Sequence, residues 1–125
     1  MNTDEKIQFW MDESARARQV ADTLFESAKY VEALFFGHLA LEKFLKAKTI
    51  EVTKEEPAYS HDLVILAKHA QIDLTDDQRS ILARVNVYNV RARYPDYRRS
   101  LHRKASRDFT KSELEAICKL IEELA

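Results

Sequence analysis

Glycine is almost missing from this chain. Gly37 is the single one among 125 residues, and Pro57 and Pro95 are the two prolines. So few breakers leave little room for tight hairpins, for a glycine-rich phosphate loop, or for alternating strands and helices. A Ser-nucleophile elbow is absent too. Cys118 stands alone, which excludes an internal disulfide and suits a reducing compartment. There is no Cys-x-x-Cys, and no two of the four histidines lie four apart, so no metal site is expected. Nothing points to a cofactor. The opening MNTDEKIQFW is polar and acidic and lacks the apolar stretch of a secretory signal. No apolar run approaches the roughly 18 residues that a membrane span needs. These absences make the cytoplasm the expected location.

What is present is helical periodicity. Hydrophobic residues make up 46% of the chain and charged residues 33%, which suits one folded domain over residues 1–125. The organising stretch is Tyr30 to Ile50. Leu34, His38, Leu41 and Leu45 line one helical face, and Phe36, Ala40, Phe44 and Ala47 line a second. A surface helix needs one apolar stripe, so two stripes predict a central helix with neighbours on both sides.

The remaining elements follow from the same spacing. Thr3 to Ala28 reads as a first helix with Thr3 as its cap, forming an antiparallel hairpin with the central helix. Glu51 to Ser60 reads as a loop. His61 to Ala70 reads as a short third helix, capped by Ser60 or Asp62. Thr75-Asp76-Asp77-Gln78 is a capping box that opens a fourth helix reaching Asn89 or Arg91. Pro95 ends it, because proline pushes Tyr94 out of the α region. The basic stretch after Pro95 reads as loop with at most one short turn, and Thr110-Lys111-Ser112-Glu113 reads as a second capping box opening the last helix. The expected fold is all-α: an up-down antiparallel bundle of four long helices plus a short one.

Charge is unevenly placed. From Arg91 to Arg107 seven basic residues meet one acid, Asp96, a local charge of +6 in a chain of net charge −1. A positive patch on an otherwise acidic protein is a candidate anion site. Arg91, Arg93, Arg98 and Arg99 carry guanidinium forks that match phosphate geometry. Tyr88, Tyr94 and Tyr97 interleave with them, and aromatic rings can stack bases. The competing reading is a solvated loop, with Asp96 paired to one arginine and the tyrosines anchoring it. His38 reads as a buried histidine with Glu42, one turn on, holding its ring. His61 reads as a helix-start residue packed on a neighbour, and His69 as solvent-facing. Glu42, Lys43 and Lys46 read as a charged strip with local ion pairs.

The run KYVEALFFGHLALEKFLKA, with His38, Leu41, Glu42, Lys43, Leu45, Lys46 and Ala47, closely resembles the central helix of the HEPN (higher-eukaryote and prokaryote nucleotide-binding) family. Trp10 and Met11 resemble its first helix, and His61, Asp62 and Leu63 resemble the opening of its third. Arg-Tyr-Pro-Asp, here Arg93 to Asp96, resembles a motif of one branch. The resemblance runs from Trp10 to about Tyr97. It implies a homodimer with a cleft shared between fourth-helix regions, and binding of a nucleotide or RNA. The binding residues expected are Arg91, Arg93, Tyr94, Asp96, Tyr97, Arg98 and Arg99, from their chemistry and, for Arg93 to Asp96, also from the resemblance. It also implies a nucleotidyltransferase partner in a toxin–antitoxin-like pair.

Many members of that family are metal-independent ribonucleases with Arg, four to six residues, then His. This chain departs from that pattern. His102 follows Arg98 and Arg99 by too few residues and Arg93 by too many, and Arg84 is followed five residues on by Asn89, which cannot act as a general acid or base near neutral pH. Whether the chain is an enzyme is therefore open, with the balance against catalysis. The alternatives are a divergent ribonuclease using His102 and an arginine, and a helical dimer whose basic patch docks on an acidic protein.

Overall fold

A computed structural model describes residues 1–125. It contains six helices and no strand: α1 (Thr3–Glu26), α2 (Tyr30–Thr53), α3 (Leu63–His69), α4 (Asp76–Arg93), α5 (Pro95–Lys104) and α6 (Arg107–Leu124). The all-α expectation holds. The four long helices and the short α3 are present as expected, but the basic stretch after Pro95 adds a second short helix, α5.

α2 is the central helix. It packs against all five others, and 14 of its 24 residues are buried, against four of 24 in α1. That difference is what two apolar stripes imply. α1 and α2 form the expected antiparallel hairpin. Phe25 meets Tyr30 near the turn. Farther along, Ser14 Oγ donates to the Ala40 carbonyl at 2.7 Å, and Lys43 approaches Glu13 at 3.7 Å. Gly37 faces side chains of α6 at close range. A Cβ there would lie 2.8 Å from Ile117 Cδ1 and 3.1 Å from Leu114 Cδ2, so the one glycine serves packing, not a turn.

The caps decide where each helix begins. Asn2, not Thr3, caps α1, with its Oδ1 accepting from the Glu5 amide at 2.8 Å. Asp62 caps α3 through the Val64 and Ile65 amides. Asn86 on α4 braces this start, donating to Asp62 Oδ1 and accepting from the Leu63 amide. The Thr75–Gln78 capping box forms as expected. The second box does not: Ser106 caps α6, accepting from the Phe109 amide at 3.1 Å. Thr110 is buried within that helix, and Glu113 turns inward to α4. Ser106 does not announce itself as a cap because position 109 is Phe, which cannot complete a reciprocal box. Instead that ring packs edge-on against Tyr88.

α4 runs to Arg93, a turn farther than Asn89, and breaks where Pro95 demands. Tyr94 is extended, with φ −108° and ψ 127°, and Pro95 takes the first position of α5, where its missing N–H is harmless. Asp96 sits at the positive start of α5, and His102, Arg103 and Lys104 sit at its negative end. Only Leu101 of α5 is buried, so charge and proline, more than an apolar stripe, hold this helix in register. No helix of the chain is long and apolar enough to cross a membrane.

Candidate nucleic-acid and nucleotide interface

Helical geometry at 95–104 reorganises the basic stretch. Residues three or four apart share a face, so Pro95, Arg98, Arg99, His102 and Arg103 come together. They line an open concavity of about 540 Å³ with no acidic side chain in its wall. Arg103 is not among the expected binding residues. The Arg99/Arg103 spacing reveals it once the segment is read as helix.

The seven expected residues do not form one site. Arg98 and Arg99 line the basic concavity with His102. Arg93 and Arg98 line a second cleft, of about 180 Å³, floored by Val31, Phe35, Phe36 and Ala92. Arg91 and Tyr97 line a third, of about 340 Å³, with Asn86, Val87 and Val90. Tyr94 and Tyr97 are each 56% exposed and meet edge-on at 6.4 Å. Asp96 is exposed and forms no ion pair with the neighbouring arginines, contrary to the solvated-loop reading. Arg98 instead pairs with Glu32 of α2 at 3.2 Å.

Tyr88 is not part of this surface. It is buried, and its hydroxyl donates to Glu113 Oε2 at 2.7 Å. Burial and the carboxylate together raise its pKa. Arg84 Nε donates to the same oxygen at 2.9 Å, and that hydrogen bond holds the guanidinium charged above its ordinary range. Arg84 is thus committed to α6. Asn89 is buried with its Oδ1 unpartnered, so the Arg84/Asn89 pair presents no reactive couple to a ligand.

Behind the α4–α5 corner lies a polar seam. His38 Nε2 donates to the His61 carbonyl at 2.9 Å, not to Glu42 as expected. Its Nδ1 has no hydrogen-bond partner and stands 4.0 Å from Glu42 Oε1. Burial lowers the His38 pKa, and Glu42 opposes that shift only in part. Glu42 accepts from His61 Nδ1 at 2.8 Å and from Lys46 at 3.3 Å. Glu42 and Lys46 form the local ion pair expected, one turn apart, but both are buried. Lys43 pairs instead with Glu13 of α1. His69 is exposed as expected. No three His, Cys, Asp or Glu side chains gather as a metal site.

Comparison with known proteins agrees with the architecture. The crystal structure of TT1696 from Thermus thermophilus superposes over 100% of both chains with a TM-score of 0.79 at 20% identity, which shows a shared fold. A search of curated proteins gives no match. The family model described as HEPN domain matches residues 7–125, past Tyr97 and through all of α6. With almost its whole length matched, the chain belongs to the HEPN domain family.

Proposed function

We propose that this chain is a nucleotide- or RNA-binding HEPN module whose phosphate site is the α4–α5 corner. The observation that carries the reading is the concavity of Arg98, Arg99, His102 and Arg103, basic throughout and open to solvent. Such forks bind phosphate oxygens bidentately. Arg93 lines the cleft that shares Arg98 with it, Arg91 and Tyr97 line the third cleft, and the Arg-Tyr-Pro-Asp run makes the break that sets α5 against α4. That role gives the branch motif a structural reason.

A homodimer is part of the reading. Val87, Val90, Tyr94 and Tyr97 leave an exposed apolar strip on α4 and the start of α5, which a second copy would cover. A nucleotidyltransferase is the protein partner suggested by the family. Thermal unfolding against nucleotides and a short single-stranded RNA, at low and moderate salt, tests the binding. Ligand at about 100 times its Kd adds roughly 2.7 kcal/mol of stability. The expected shift shrinks with salt and is lost in Arg99→Ala/Arg103→Ala. No shift with any ligand overturns the reading.

One observation favours a second reading, a divergent metal-independent ribonuclease: His102 shares the concavity with three arginines. The imidazole would move a proton while a guanidinium steadies the phosphate charge. Cleavage by clean protein that His102→Ala abolishes would establish it, and no cleavage would remove it.

A further inference from the structure

Phe35 is a half-buried phenylalanine that does not reach the hydrophobic core, whereas its equally half-buried neighbour Phe36 packs against it. Its ring meets Phe36 edge-on at 5.7 Å. With Val31 and Ala92 these two rings floor the cleft of about 180 Å³. Arg98 lines both this apolar cleft and the basic concavity of about 540 Å³. A pocket for a ring therefore adjoins a pocket for phosphates. Together they reach the size of small-molecule sites, roughly 300–1,000 Å³.

At the junction, the Arg98 guanidinium is held by the Glu32 carboxylate at 3.2 Å. A carboxylate there stands where a ligand phosphate would bind.

The geometry points to a free nucleotide as the ligand: its base enters the Phe35 cleft, its phosphates lie on Arg98, Arg99 and Arg103, and Glu32 is displaced from Arg98. This rests on the reading of the corner as a phosphate site and adds where the base goes and what guards the entry. A cleft this small takes one ring system, not a stacked run of bases. The cleft and the groove of Val87, Val90 and Tyr97 share no lining residue. At about 100° per residue Ala92 lies well away from Val87 and Val90 around α4, while Arg93, three residues on from Val90, stands at the border between the two surfaces.

Titration calorimetry of the intact chain with ATP, inorganic tripolyphosphate and a short single-stranded RNA tests this. ATP should bind more tightly than tripolyphosphate. Phe35→Ala should weaken ATP by about five- to a hundredfold, the range of one lost base–aromatic stack, and leave tripolyphosphate unchanged. That unchanged arm also shows the variant is folded. Arg98→Ala should weaken both. Glu32→Gln should tighten both by up to about fivefold, as an exposed ion pair allows. Equal affinity for ATP and tripolyphosphate, or an unchanged ATP affinity in Phe35→Ala, overturns the base cleft and leaves the phosphate site standing. RNA binding without ATP binding does the same. Failure of all three probes overturns both.

Discussion

Glu42 accepts a hydrogen bond from His61 Nδ1 across 2.8 Å, although the two stand 19 residues apart. The bond fastens the connection before α3 to the middle of α2. His61 answers through its carbonyl, which accepts from His38 Nε2. Lys46 closes the set from one turn along α2, its ammonium 5.2 Å from the centre of the Trp10 ring. One buried carboxylate thus links α1, α2 and the entry to α3.

Glu42→Ala should therefore destabilise more than an ordinary ion-pair loss. It strands Lys46, which is largely buried, and frees His61. Breaking a buried pair from one side costs about 3–5 kcal/mol, and urea unfolding measures it. Replacing both partners, as Glu42→Leu/Lys46→Leu, should recover part of the loss, since no uncompensated charge remains. A double variant no better than the single would contradict this account.

His38 sets a pH dependence. Its folded pKa lies below the ordinary 6.5, first because of burial. Glu42 facing it and the hydrogen bond to the His61 carbonyl raise the value, and the nearby His61 ring and Arg93 lower it. In the window between 6.5 and the lowered value, the unfolded chain binds the extra proton, so stability falls as pH falls. One proton contributes at most about 1.4 kcal/mol per pH unit. Unfolding curves between about pH 7.5 and 5.5, which bracket the ordinary histidine value, should show that loss. His38→Gln, which keeps a donor for the His61 carbonyl, should flatten it.

The scarcity of glycine leaves its own mark. Ala28, Lys54 and Gln71 all follow helices in left-handed conformation, with φ of 60°, 62° and 57°. These are positions where glycine is usual. Ala28→Gly should stabilise the chain despite glycine's greater entropy when unfolded. The left-handed penalty of about 1–2 kcal/mol exceeds the usual glycine cost of about 0.5–1 kcal/mol. The net gain is up to about 1.5 kcal/mol, readable as a higher Tm.

Legibility in the sequence follows from what residues say locally. The two stripes of α2 and the Thr75–Gln78 box need no partner to be seen. α5 escapes a periodicity reading because Leu101 is its one buried side chain, so no apolar period marks it. Its start, Pro95 and Asp96, and its basic end are present as terminal signals. The arginines are legible by type. Their division among three surfaces is not, since that depends on the register of α4 against α5. The roles of Phe35 and Glu32 are invisible for a different reason: both belong to α2, and only the tertiary fold brings them to Arg98.

Register also predicts how binding responds to salt. Each phosphate neutralised on a single strand steepens the fall of log K with log salt by about 0.7. Arg99 and Arg103 share the basic concavity, and neither enters an ion pair with the protein's own acids, unlike Arg98. Both are thus available to phosphates at no internal cost. Arg99→Ala/Arg103→Ala should flatten the slope for a short single-stranded RNA by about 1.4. Arg84→Ala should leave it unchanged while lowering stability, because Arg84 serves Glu113 instead of a ligand. Filter binding across a salt series gives both slopes. An equal effect of the two variants would mean that the charge of the chain as a whole, not the α5 face, holds the strand.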